Sequence, residues 1–133
     1  MIDRTNQGPI ATIQHDVWIL PGSFAPAAAG APTALQGASW FSVVRTSEGV
    51  YTVTVTDPWF IAAAVLVSVQ RTDNPAAGAN NAVIANFGNI DVVTARTIVI
   101  RLLDAAFAVR DMAANANNRV HFALALRNSS EAS

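Results

Sequence analysis

The amino-acid sequence predicts an all-β protein: an antiparallel β-sandwich or jelly-roll-like single domain with an extended N-terminal arm. Val50 to Thr56 alternates its side chains with a period of two, as a half-buried strand does. The same alternation returns from Arg119 to Arg127, near the end of the chain. Turn-forming residues separate about seven short segments of this kind, which is the pattern of a sandwich.

The N-terminal part is predicted to lie outside the sandwich. Val17 to Leu20 suits a short strand or a docked arm, which Pro21 and Gly22 should end. Phe24 to Ala38 is rich in alanine, proline and glycine with little periodicity, so we expect a long loop or extended arm rather than core. The expected organisation is an arm and loop over residues 1–38, a β-sandwich domain over 39–130 and a tail over 131–133.

Three strands of a meander are predicted in the middle of the chain. Phe41 to Arg45 is the first, and a tight turn ending at Gly49 leads into Val50 to Thr56. Asp57 and Pro58 interrupt the chain because proline lacks an amide hydrogen. The third strand, Trp59 to Val69, is apolar at nearly every position, so both of its faces should be covered by the chain itself or by a partner.

The second half of the chain is predicted to add three more strands: Ala82 to Phe87, Asp91 to Leu103 and Arg119 to Arg127. Gly88 and Asn89 should form the turn after the first of them. Three alternate residues of the second should face the core: Ile98, Ile100 and Leu102. The alanine-rich segment from Asp104 to Asn118 is compatible with a helix or with a long connection.

Composition narrows the classes of function. The 133 residues include no cysteine, and the net charge of -1 argues against a dedicated nucleic-acid surface. Charged residues make up only 13%, and the chain has arginine but no lysine. Arginine suits protein interfaces, but a genome whose codons favour arginine would give the same composition. A mean hydropathy of +0.34 without a long apolar run indicates no membrane span. We expect an intracellular protein, without a signal peptide, that buries surface against copies of itself or a larger body.

Catalytic and cofactor motifs are not evident. His15 and His121 are far apart in sequence and lack a third ligand, and no strained serine elbow or glycine-rich phosphate loop is present. Four aspartates at strand ends should cap turns, or bind calcium only if their loops converge: Asp57, Asp73, Asp91 and Asp104. Aromatic residues that suit sugar stacking equally suit core or interface anchors: Trp40, Trp59 and Phe107. We therefore predict no enzyme, no cofactor and no metal.

Two stretches resemble a family of small structural proteins of tailed bacteriophages. The first runs from Gly37 to Thr46 and on through Gly49 to Thr54, reading GASWFSVVRT and then GVYTVT. The second includes Asn117 to Phe122 and Arg127 to Ser130, reading NNRVHF and RNSS. The similarity covers Gly37 to Ser130, and its motifs are structural rather than catalytic.

The resemblance implies a virion protein made in the host cytoplasm. Some members resemble capsid decoration (cement) proteins, which sit as trimers on the outside of the head, so the implied partners are the major capsid protein and further copies of the chain. Nucleic acid and membrane are not implied partners. The alternative is a tail or head-fibre component that recognises a host-surface glycan. Candidate contacts with the capsid or a neighbouring subunit are Ile10, Ile13, Val17, Trp18, Phe24, Trp59, Arg96, Arg119 and His121.

Overall fold

The structure is a computed structural model that describes residues 17–27, 29–37, 39–56, 61–71, 77–113 and 118–127. Within these residues the chain forms eight β-strands. Their bounds are β1 Val17–Ala25, β2 Thr33–Gln36, β3 Phe41–Ser47, β4 Val50–Val55, β5 Ile61–Gln70, β6 Ile84–Asp91, β7 Thr97–Leu103 and β8 Arg119–Arg127. The predicted all-β class is confirmed.

The strands form two antiparallel sheets of four strands each. Sheet A has the order β2-β1-β8-β5, and sheet B has the order β3-β4-β7-β6. The two sheets pack face to face over one apolar core, so the fold is a β-sandwich. The largest fully buried side chains come from both sheets and include Tyr51, Phe24, Ile98, Ile100, Leu124 and Leu126.

Period-two alternation correctly predicted the inward faces of the best-defined strands. In β4, Tyr51, Val53 and Val55 are buried while the threonines between them are partly exposed. In β7 the three residues expected to face the core are buried. β8 has the predicted bounds, and its alternate residues Val120 to Leu126 are buried. Alternation suffices here because each strand has one face on the core and one outside.

The prediction that Phe24 to Ala38 lies outside the core is wrong. β1 does not end at Pro21 and Gly22 but continues to Ala25, and Phe24 is 0% exposed. Pro21 lacks a backbone N–H group, but the ladder between β1 and β2 begins only at Ser23. No hydrogen bond from Pro21 to β2 is therefore required, and proline is tolerated in this strand. Gly22 is needed there because a Cβ would lie 2.7 Å from the ring of Phe122. The boundary expected after residue 38 falls between β2 and β3.

The predicted turn at Gly88 and Asn89 is also wrong. β6 runs through both residues to Asp91, and the pairing with β7 shifts register between Phe87 and Ile90, which is a β-bulge. The reversal comes later, where the Asp91 carboxylate accepts hydrogen bonds from the backbone N–H groups of Val93, Thr94 and Ala95. A glycine in a strand therefore marked a bulge rather than a turn.

The segment between β7 and β8 was predicted to be either a helix or a long connection. In its described residues it is a long connection without a helix. Its first part is a hairpin-like extension, closed by an isolated bridge between Leu103 and Val109. Asn81 pairs with Met112 in a second bridge. The strand registers bring this connection to the same end of the sandwich as the β1–β2 and β3–β4 connections. We call this end the loop end; it comprises residues 26–27, 29–32, 47–50, 77–83 and 104–113.

Candidate functional site

The outer face of sheet A carries an apolar surface among the described residues. The register puts the core residues of β8 on one side of the sheet and alternate residues of three strands on the other. These outward residues are Ile19, Pro21, Leu66, Ser68, His121, Ala123 and Ala125. None of them is a carboxylate or an arginine, and Leu66 is 70% exposed. Arg119 lies on the same side of β8, two positions before His121, where the apolar stretch ends. The described chain does not itself cover the outer face of the apolar β5 strand at Leu66, so the expected cover on that face is left to a partner.

A shallow depression of about 420 Å³ lies in the middle of this face. Its lining includes Pro21, Leu66, Ser68, His121 and Ala123. The Nε2 atom of His121 lies 2.8 Å from Oε1 of Gln70, so the imidazole is anchored by an amide rather than by a carboxylate. A depression with such a lining suits an apolar protein side chain better than a charged ligand.

The predicted contact residues are distributed over different parts of the molecule. Trp18 is 51% exposed at the end of β1, although its register opposite Leu126 turns it towards the inner side of the sheet. Val17 lies beside it in β1, opposite Arg127. Phe24 is a correction: it packs against Tyr51 and Phe122 in the chain's own core, so it cannot contact another subunit. Ile10, Ile13 and Trp59 lie outside the described residues.

The two predicted arginine contacts are engaged within the chain. One Nη2 atom of Arg119 donates to Oγ of Ser23 at 2.8 Å and to the carbonyl of Ala34 at 2.6 Å, which ties β8 to β1 and β2. Arg96 is exposed and donates from Nη1 to the carbonyl of Thr56 at 2.9 Å. Both contacts satisfy backbone or hydroxyl groups, so the guanidinium charge of each is not neutralised by these bonds.

The carboxylate of Asp111 is the centre of a hydrogen-bond network at the loop end. It accepts from Nε and Nη2 of Arg45 at 3.0 and 2.7 Å, and from the backbone N–H of Gly49 at 2.8 Å. Burial opposes ionisation of Asp111, but the hydrogen bonds from Arg45, Gly49 and Ala29 outweigh it and lower the pKa of this carboxyl. The same pairing raises the pKa of Arg45. The network joins the β7–β8 connection to the β1–β2 and β3–β4 connections, and the positive charge of Arg45 balances the negative charge of Asp111.

A second buried carboxylate, Asp104, organises the tip of the β7–β8 connection. Its Oδ1 accepts from the N–H groups of Ala106 and Ala108 at 2.8 and 3.0 Å, and its Oδ2 accepts from Gly78 at 3.0 Å. Burial alone would raise the pKa of Asp104, but these bonds and the nearby Arg110 lower it. At the end of this tip Phe107 is 72% exposed. The tip is therefore a rigid loop that displays an aromatic side chain.

Metal binding receives no support from the described residues. Asp91 and Asp104 cap turns as predicted, but they lie at opposite ends of the sandwich because β7 separates them. No group of three or more histidine, aspartate or glutamate side chains lies close enough to hold an ion in the part of the chain that is described. Asp57, Asp73 and His15 fall outside that part. Over the same residues, no helix is long and apolar enough to cross a membrane.

Of the aromatic residues considered for sugar stacking, Trp40 is a core anchor. Its Nε1 donates to the carbonyl of Pro21 at 2.9 Å, and its ring packs against Phe41 and Phe122. Sequence reasoning missed Asp111, since its partners Arg45 and Gly49 are more than sixty positions away. It also missed that Phe107 is displayed at a loop tip, because a phenylalanine flanked by alanines gives no sequence signal for such a position.

No protein family, curated protein or solved structure matches the chain.

Proposed function

We propose that this chain is a non-enzymatic structural protein of a tailed bacteriophage, a capsid decoration protein that binds the outer surface of the head as an oligomer. The resemblance of Gly37 to Thr54 and of Asn117 to Ser130 to phage structural proteins suggests the class. The observation that carries the proposal is the outer face of sheet A, which is largely apolar, is exposed at Leu66 on the single chain and has Arg119 at one end. A surface of this kind marks a protein interface.

The proposal assigns two contacts to two parts of the chain. The outer face of sheet A forms the seam between copies, because its apolar part is buried at little desolvation cost. The N-terminal residues from Met1 to Leu20, which include Ile10, Ile13, Val17 and Trp18, form the contact with the capsid shell. A fold that needs only a rigid scaffold and two binding surfaces requires no catalytic group.

Stabilisation of the head follows from mass action. A protein that binds only the assembled shell lowers the free energy of that state, and the effect grows with its concentration relative to its dissociation constant. An oligomer that engages several capsid subunits at once adds avidity, because each further contact is intramolecular. Many copies of a small protein can therefore resist the pressure of packaged DNA without any single strong contact.

The glycan-binding alternative draws no support from Trp40, whereas Phe107, the other described residue considered for stacking, is exposed. It requires a tryptophan ring and its N–H to be available for a sugar. The N–H of Trp40 is bound to Pro21, and the ring packs against Phe41 and Phe122. Trp59 lies outside the described residues.

A deletion of Met1 to Ile13 tests the assignment of the arm. The truncated protein should keep its oligomeric state and its thermal unfolding temperature while losing co-sedimentation with heads that lack the native protein. The full-length chain is the control for binding, and Trp18→Ala tests whether the described end of the arm contributes. Undiminished binding of the truncated protein to heads would contradict this role for the arm.

A further inference from the structure

Phe107 occupies a backbone conformation that is unfavourable for its residue type. Its φ is 64°, in the left-handed region, and its side chain is 72% exposed. A bulky residue in this region is strained relative to the right-handed region. An exposed phenyl ring offsets little of this strain through burial within the chain. A residue that is both strained and exposed points to a role outside the chain's own stability.

The loop that carries Phe107 is held in place before any partner binds. The N–H of Asp104 donates to the carbonyl of Ala108 at 2.9 Å, and the N–H of Phe107 donates to the carbonyl of Asp104 at 2.9 Å. The Asp104 side chain accepts two further backbone hydrogen bonds from the same loop. Because the loop is already ordered, binding through Phe107 would lose little backbone entropy.

The tip and the depression on sheet A have matching chemistry. Ala105 to Val109 carries no charged side chain, and Val109 beside Phe107 is also exposed. The depression of about 420 Å³ is lined by Leu66, Ala123 and other residues that include no carboxylate and no arginine. Contact between the two surfaces would bury no unpaired carboxylate or arginine, and the His121 imidazole keeps its Gln70 partner, so the desolvation cost of association is low on both sides.

The two surfaces cannot meet within one chain. Phe107 lies at the loop end of the sandwich, whereas Leu66 pairs with Ala123 in the middle of sheet A and points away from the core. Every copy of the chain carries both surfaces in equal number. A second copy is therefore the occupant that the structure itself supplies for the depression.

We propose that Phe107 of one copy inserts into the depression of the next, between Pro21 and Leu66. The proposal rests on the self-association part of the proposed function and is independent of the capsid. The contact is heterologous, because different surfaces of the two copies meet. Copies joined in this way form a closed ring where the rotation permits and an open chain otherwise. The edge of β5, ten uncharged residues long, offers a different and isologous contact, which the test separates from this one.

Single substitutions test each half of the contact by analytical ultracentrifugation. Phe107→Asn removes the ring and suits a positive φ, so the variant should stay folded and associate at least about 30-fold more weakly, as expected for a central anchor. Leu66→Glu should weaken association similarly, because it puts a charge in the depression. Val44→Thr is the control: Val44 is 62% exposed on the outer face of sheet B and belongs to neither half.

Mixing the two variants distinguishes this contact from all symmetric ones. A Phe107→Asn subunit still has its depression, and a Leu66→Glu subunit still has its phenyl ring. An equimolar mixture should therefore form heterodimers, whereas each variant alone should remain monomeric. Failure of the mixture to form heterodimers, unchanged association of Phe107→Asn, or a monomeric wild-type protein would each overturn the proposal. Normal association of Phe107→Asn together with normal head decoration would overturn it and leave the proposed function standing.

Discussion

Arg45 and Asp111 form a two-point ion pair across the loop end, although 66 positions separate them in the sequence. Nε of Arg45 lies 3.0 Å from Oδ1 of Asp111, and Nη2 lies 2.7 Å from Oδ2, so the guanidinium binds the carboxylate in a bidentate manner. The same carboxylate accepts the N–H of Gly49, which ties the β3–β4 turn to the β7–β8 connection.

Asp111→Asn should lower the thermal unfolding temperature clearly more than Asp91→Asn. The amide removes the charge opposite Arg45 and can no longer accept from all of its donors. Asp91 is a matched control because it also caps a turn, but in a solvent-exposed position at the other end of the sandwich. Differential scanning calorimetry of both variants gives the comparison. Equal losses would mean that the network adds nothing beyond ordinary turn capping.

Gly49→Ala should destabilise the protein by about 1–3 kcal/mol or more. The φ of Gly49 is 65°, and a Cβ there would lie 2.6 Å from the carbonyl oxygen of Arg110, which belongs to the backbone and cannot rotate away. Gly88→Ala is the control, because its added Cβ meets only the flexible end of Arg101, 2.9 Å away. Urea denaturation should show a small change for Gly88→Ala. Equal changes in the two midpoints would contradict this account.

Acid should destabilise the folded chain as the pH falls below about 4, the ordinary range of an aspartate. The folded pKa values of Asp104 and Asp111 lie below the ordinary value, so the unfolded chain binds protons first on acidification. Their stabilisation is present above the unfolded pKa and is lost as the pH falls through the folded pKa. The double variant Asp104→Asn/Asp111→Asn should show a flatter dependence of unfolding free energy on pH. An unchanged slope would assign the acid sensitivity to other groups.

The single tyrosine of the chain gives a spectroscopic check on the core. Burial raises the pKa of Tyr51 to about 12, and the negative charge of Asp111 adds to the effect. Because the folded pKa is the higher one, this stabilisation is present below the unfolded value of about 10 and is lost as the pH rises through the folded value. Tyrosinate absorbance should therefore appear near pH 12 in the folded protein. Appearance near the ordinary pKa without unfolding would mean that Tyr51 is accessible to water.

The parts of the fold that could be predicted are those encoded by local alternation. Tyr51 to Val55 and Val120 to Leu126 each show one apolar face, and both are buried as expected. The second half of β1 and all of β2 were missed because Pro21, Gly22 and the alanines after Phe24 have no periodicity. What makes them strands is the partner: β8 offers a ladder for β1, and Phe122 needs the space beside Gly22.

The loop-end network and the displayed phenyl ring were beyond sequence reasoning for a different reason. Arg45, Gly49 and Asp111 meet only once two sheets are packed and their connections fall at one end. The left-handed backbone of Phe107 depends on the buried Asp104 carboxylate, and a phenylalanine between alanines does not indicate it. Long-range pairing decides the network, whereas local hydrogen bonds to Asp104 shape the loop of Phe107.

The ratio of this chain to the major capsid protein in purified virions tests the central claim most directly. Quantitative mass spectrometry with isotope-labelled peptides of both proteins measures it. Capsid decoration predicts a ratio of one to one or of one to a small integer, since the chain would follow the shell lattice. A handful of copies per particle would contradict decoration and point to the tail or a fibre, and absence from the particle would contradict a structural role altogether.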